Sequence, residues 1–492
     1  MDKFFKLKES GTNVRTELIA GITTFFTMAY IIFVNPDILS AAMQTADGVP
    51  LWYGVFIATI IATVVGTLVM ALVANVPYAV APGMGLNAFF TYTVCFGLGF
   101  AWQEAMAMVF ICGLINILIT VTKVRKHIIK SIPLSLQNAI GGAIGVFIAY
   151  IGVKNAGWLN FTSEPFSWFA IQSDWSSGPL ESITPATHTV VTDASIIPAL
   201  ANFDNLGAII AVIGLVIIVV LMILKVKAAM LLGIIGATLI AVLTGYAELP
   251  SKIFDFSGMS QVNDVAFSFF GNPGLGSMFS DPAKILPAIL VIFAFSLTDT
   301  FDTVGTFIGT GRKTGIFDEA DMKALDSSSG FKSKMDKALF ADSTATSIGA
   351  LVGTSNATTY IESAAGINVG GKTGLTSVFT ALLFVLCLPF MALFGIVPAA
   401  ATAPALIVVG VLMAESFTGI KWSDFEDALP AFLTVIIMAF SYNISYGIAA
   451  GFLFYIIAKI MRGKAKEVHP IIYIATFLFI VNFVVLALGI LG

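Results

Sequence analysis

The stretch FSLTDTFDTVGTFIGTG (295–311) sets Asp299 and Asp302 three residues apart, a spacing that puts both on one face of a helix. The stretch TSNATTYIESAAGI (354–367) holds one carboxylate, Glu362, among small, hydroxylated and apolar residues, and LFADSTATS (339–347) supplies Asp342. Acids inside a membrane segment cost about 3 kcal/mol or more and as a rule face an interior site, where they hold a polar ligand or carry a proton. The plain alternative for Asp299, Asp302 and Glu362 is a carboxylate satisfied by nearby hydroxyls or helix ends. Asp342 reads equally well as a simple N-cap over Ser343 and Thr344 at the start of a span.

These acids matter because the chain around them is a membrane protein. Of its 492 residues 58% are hydrophobic and only 11% charged, whereas soluble domains carry about 25% charged residues. Apolar runs of bilayer-spanning length recur from end to end, and no soluble catalytic domain fits between them. The basic residues are sorted by loop. The N-terminus, the cluster KVRKHIIK (123–130), Lys225, Lys227, the loop 311–337, Lys372, Lys421 and 459–466 take all but three of the 25 Lys and Arg. Only Lys154, Lys252 and Lys284 fall on the other side. The rich side and the N-terminus are therefore expected to be cytoplasmic. The polar, acid-containing start is unlike a cleavable signal peptide.

Apolar runs predict spans near 17–40, 52–74, 83–97, 101–121, 134–152, 206–224 and 228–246. A second series follows near 285–310, 340–352, 356–368, 374–396, 399–415, 427–441 and 444–461. Seven spans per half force the second half to insert upside down, the inverted-repeat logic of many transporters. The stretch 470–492 exceeds that count. The third span of each half is short and broken. NVPYAVAPGMGLNAFFTYTV (75–94) carries Pro77, Pro82, Gly83 and Gly85, and its counterpart is LVGTSNATTYIESAAGI (351–367). Proline removes a backbone donor and glycine relaxes the helix, so each segment should run extended and then helical. Two helix N-termini would then face each other near the midplane, with Glu362 about two turns into its half-helix.

Other signals carry less. GINVGGKT (366–373) matches G-x-x-x-x-G-K-[ST] letter for letter, but a phosphate-binding loop must join a strand to a helix in a soluble α/β unit. Cys95, Cys112 and Cys387 show no ligand spacing, and no metal site is expected. The sequon NFT (160–162) lies in a Ser/Thr/Trp-rich loop, 153–205. Among the aromatics Phe25, Phe26, Tyr30, Phe89, Phe90, Phe301 and Tyr360, one or two near the breaks could stack on a flat ring, and the rest pack.

With these segments in hand, the chain resembles the AzgA-like branch of the nucleobase/cation symporter-2 superfamily, the purine permeases of guanine/hypoxanthine type. The likeness rests on GITTFFTMAYIIFVNPDIL (21–39), APGMGLNAFFTYTV (81–94), DTFDTVGT (299–306) and LFADSTATSIGALVGTSNATTYIESAAGI (339–367). It implies an all-α polytopic fold like that of the bacterial uracil permease: fourteen segments in two inverted repeats, segments 3 and 10 broken, often dimeric. Core spans 1–4 and gate span 5 would lie in 1–152, gate spans 6–7 in 206–246, core spans 8–11 in 285–396 and gate spans 12–14 in 399–461, with 153–205 extracellular.

By the same resemblance Asp302 stands where the superfamily has a substrate-binding glutamate, and Thr306 where the uracil permease has a histidine. Glu362 matches the span-10 carboxylate that grips the nucleobase, Ala88 a backbone contact in span 3, and Asp342 an acid at the start of span 9. Thr27, Asn87 and Ile361 join the substrate contacts by position, and Asp299 joins Asp302 and Asp342 as a proton-coupling group. Asp at 302 and Thr at 306 depart from the xanthine and uracil branches and speak against a pyrimidine.

The implied activity is purine import through the cytoplasmic membrane by proton symport, with core moving against gate. H+ is the coupling ion, and no cofactor and no nucleic acid partner are expected. An anion exchanger of the same fold is the alternative, disfavoured by two acids and no intramembrane Arg or Lys near the breaks. A channel would show flux that is neither saturable nor gradient-coupled. From a different class, an intramembrane aspartyl hydrolase could use Asp299 and Asp302 as a dyad, although both lie on one helix and the opposing breaks would be unexplained.

Overall fold

Apolar helices dominate the chain, as its composition requires. The structure, a computed structural model, describes residues 2–122, 132–163, 196–250, 252–254, 256–311, 315–317, 321 and 333–487. The basic cluster 123–130, most of the loop 311–337, loop residues 164–195 and the Phe301 side chain lie outside the described residues.

In chain order the main elements are α1 (Val14–Met28), α2 (Ile31–Leu39), α3 (Trp52–Val69), β1 (Val80–Pro82), α4 (Met84–Ala88) and α5 (Trp102–Val121). Then come α6 (Leu134–Asn155), β2 (Leu159–Ser163), β3 (Ile196–Leu200), α7 (Leu206–Ile223), α8 (Ala229–Leu243) and α9 (Pro282–Thr306). The chain continues through α10 (Lys334–Val352), β4 (Ala357–Thr359), α11 (Ser363–Val369) and α12 (Gly374–Val385). It ends with α13 (Ala399–Met413), α14 (Phe425–Phe440), α15 (Ile444–Met461) and α16 (Pro470–Ala487). Among the described residues nine helices, counted with their continuations, are long and apolar enough to cross a membrane. The expected loop at 153–205 contains the β2–β3 ribbon, and short helical turns fill 257–278, where no element was expected.

The broken segments set the architecture. Pro77 and Pro82 cannot donate to a helix ladder, and the backbone between them instead pairs antiparallel with β4, Val80 opposite Thr359 and Pro82 opposite Ala357. The pairing runs on at both ends, through Gly83 N to Asn356 O at 2.8 Å and Tyr360 N to Ala79 O at 3.0 Å. Side chains complete it. Thr67 Oγ1 receives Val80 N at 3.0 Å, and Ser363 Oγ receives Ala79 N at 3.0 Å. Irregular backbone in a membrane protein survives only when satisfied in this way. Gly83 permits the close approach, since a Cβ there would sit 2.9 Å from Thr358 Oγ1.

Two boundaries differ from expectation. The ninth span starts at Lys334, because Ser333 accepts from Asp336 N and caps the helix there. Asp342 is therefore mid-helix and not an N-cap. Strand pairing also holds the tenth segment extended through Thr359, which delays its helix, so Glu362 stands at the N-cap of α11 rather than two turns inside it.

Candidate functional site

Below the strand pair four carboxylates share one interior. Asp302 lies close enough to Asp299, Asp342 and Glu362 for each to feel its charge. Among the described residues no Lys or Arg pairs with any of them. Neutral donors take that part instead, and they divide the four into two kinds.

Asp299 and Asp342 are buried. Asp299 Oδ2 accepts from Asn116 Nδ2 of α5 at 2.9 Å and from Thr346 Oγ1 of α10 at 3.3 Å, while its Oδ1 has no partner among the described residues. Asn116 is fixed in turn by the Ser296 hydroxyl. Asp342 Oδ2 accepts from Thr303 Oγ1 of α9 at 2.9 Å, and Oδ1 from Thr359 Oγ1 of β4 at 2.7 Å. Each of these acids ties its helix to others.

Asp302 and Glu362 are accessible. Asp302 is exposed, with the Thr358 hydroxyl beside it, and Glu362 is half-buried. One turn of α9 thus separates a buried acid from an exposed one. Glu362 Oε1 accepts from Tyr30 Oη at 2.6 Å, and its carbonyl faces Thr27 Oγ1 at 3.4 Å. Tyr30 sits where span 1 breaks, between α1 and α2, and its ring is fully enclosed. Tyr360 donates to Pro82 O at 2.6 Å, which locks its ring against the first broken segment.

The remaining expected contacts fall as follows. Ile361 is exposed beside Glu362, and Ala88 and Thr306 are buried. Asn87 is buried and turns its amide to Asn35 Oδ1 at 3.0 Å, within a chain that runs on to Thr59 and Thr354. The hydroxyl and amide partners Tyr30, Asn116, Thr303, Thr346, Thr358 and Thr359 were not foreseen. Asn116, a lone amide in the apolar run FICGLINILIT, carried a usable signal, since polar groups at membrane depth face inward.

The phosphate-loop lookalike has a structural explanation. Gly370 ends α11 with φ +115°, and the backbone N–H groups of Lys372, Thr373 and Thr376 all point at the Glu17 carboxylate of α1, at 3.0, 3.3 and 3.1 Å. The hydroxyls of Thr373 and Thr376 add bonds of 2.9 and 2.6 Å. A side chain of the protein already fills the anion seat that such a loop would offer.

Comparison with known proteins agrees with this architecture. A family model described as a permease family matches residues 15–178 and 185–450. The chain is 38% identical over 494 residues to a guanine/hypoxanthine permease of Bacillus subtilis (strain 168), covering 98% of this chain and all of that one. It is 36% identical over 485 residues to an adenine permease of Escherichia coli (strain K12), covering 98% and 96%. Among solved structures, the transmembrane domain of a cyanobacterial bicarbonate transporter superposes with a TM-score of 0.59 at 15% identity, over 89% of this chain and 97% of that one, a likeness of fold alone. The relatives are named as transporters rather than enzymes, and this chain is a multi-pass membrane protein that belongs to the permease family.

Proposed function

We propose that the protein is a proton-coupled symporter that imports purine nucleobases, guanine and hypoxanthine first and adenine as a further substrate. The observation that carries the reading is the pairing of β1 with β4, which sets two accessible carboxylates, Asp302 and Glu362, beside two broken segments, with no Lys or Arg paired to either among the described residues. Glu362 accepts hydrogen bonds from ring N–H or amino groups of the purine. Asp302, exposed and flanked by three other acids, takes and releases the proton that couples uptake to the inward gradient, with Asp299 and Asp342 behind it. The names of the relatives support the substrate class.

In this reading fourteen segments form two inverted repeats. Spans 1–4 and 8–11 make a core, and spans 5–7 and 12–14 make a gate. The packing of α6 on α13 and α14, and of α10 on α3 and α5, is consistent with such a division. The core slides against the gate in the cytoplasmic membrane, with the N-terminus inside and a homodimer as the working unit.

Uptake of labelled hypoxanthine, guanine and adenine into cells lacking their own purine permeases tests this, with and without a protonophore. Saturable uptake that collapses with the protonophore is expected. Asp302→Asn should abolish accumulation against a gradient, whereas Glu362→Gln should weaken binding about tenfold or more, the size of a hydrogen bond to a charged group. Accumulation that survives Asp302→Asn removes that residue from the coupling role.

A further inference from the structure

The Tyr30 hydroxyl occupies one of the two oxygens that Glu362 has to offer. A carboxylate is acceptor-only, and the 2.6 Å bond from Tyr30 Oη to Oε1 has the length of a short, charge-assisted O–H···O. The phenol cannot swing away. Its ring is 1% exposed, and it sits at the break where Ile32 N returns to Ala29 O and Phe33 N to Tyr30 O. Tyr360, the neighbouring phenol with its ring 6.5 Å away, spends its own hydroxyl on Pro82 O. Among the described residues no other side chain donates to Glu362.

We propose that Tyr30 is a positioning residue that leaves Glu362 with a single oxygen, Oε2, that no other side chain of the described residues engages, and thereby sets how many adjacent donors a bound heterocycle can present to it. This deepens the purine reading above and rests on it. A ring edge with one N–H, as in hypoxanthine, pairs with Oε2 unopposed. An edge with two adjacent donors, the N1–H and 2-amino group of guanine, must share Oε1 with the phenol.

The test is equilibrium binding of hypoxanthine and guanine to purified wild-type and Tyr30→Phe protein. Phenylalanine keeps the ring and its packing and removes only the hydroxyl. Hypoxanthine affinity should fall about tenfold, the loss expected when a charged hydrogen-bonding group loses its orienting partner. Guanine should fall less, because its second donor takes the vacated oxygen, so the guanine-to-hypoxanthine affinity ratio should rise at least about threefold by the same estimate. In a Glu362→Gln background the ratio should no longer respond to Tyr30→Phe. Equal losses for both purines, or no change in either, overturn the proposal by reducing Tyr30 to a packing residue. Wild-type protein that binds neither purine overturns the purine reading itself, and this inference with it.

Discussion

A buried carboxylate without a cation depends on every neutral donor it has. Asp342 has one threonine hydroxyl on each oxygen, from α9 and from β4. Thr359→Val removes the hydroxyl bonded to Oδ1 and is expected to lower stability by about 1–3 kcal/mol, the cost of a lost hydrogen bond to a buried charged group. Thermal unfolding of the detergent-solubilised protein reads this directly. A melting temperature equal to wild type would mean that water replaces the hydroxyl. The exposed pair follows different logic. Asp302 has room beside it, so Asp302→Asn should leave the melting temperature near wild type while it removes coupling. Loss of folding in that variant would instead place Asp302 with the structural acids.

Helix is joined to helix by similar devices, of which Glu17 is the most heavily bonded. It binds α1 to the start of α12 through five donors. Glu17→Ala leaves the backbone N–H groups of Lys372 and Thr373 without an acceptor, while Thr376 N keeps its bond to Thr373 O, and should cost about 2–5 kcal/mol at the usual scale for unsatisfied buried donors. Glu17→Gln should recover part of that loss in the same unfolding assay. Equal stability of the alanine variant would show that α12 needs no cap from α1.

The element order was legible in the sequence, because apolar length and the Pro/Gly interruptions at 77–85 speak directly to backbone hydrogen bonding. The two boundary errors have a common origin. Whether the chain is helical at Asp342 or extended through Thr359 depends on a serine cap outside the apolar run and on a strand partner from the other half. Local pattern contains neither. The acids of the site were legible for their cost in a membrane, while Tyr30 was not, since nothing in FTMAYIIF distinguishes a phenol that reaches a carboxylate 332 positions away from one that packs.

At the scale of the whole molecule, polar contacts among the described residues join the proposed core to the proposed gate. One of them is Asp37 of α2, whose Oδ1 accepts from Trp52 Nε1 at 2.7 Å and whose Oδ2 accepts from Thr402 Oγ1 of α13 at 2.8 Å. If core slides against gate, this contact must break in each cycle. Cysteines at 37 and 402 joined by a short bis-methanethiosulfonate, which attaches to each through a disulfide, should stop uptake, and reduction of those disulfides by an added thiol should restore it. Complete cross-linking with unimpaired uptake would rule out movement at this place. Cys112 and Cys387 are buried and Cys95 half-buried, so single-cysteine variants serve as controls. The strand pair has a consequence in time. Val80 finds its partner Thr359 only after nearly 280 further residues have been made, roughly 15–60 s at ordinary rates of synthesis. Through that interval Thr67 alone can serve Val80 and the rest of the β1 edge waits for β4, so a nascent chain halted before residue 357 should be more open to quality-control proteolysis than the finished protein.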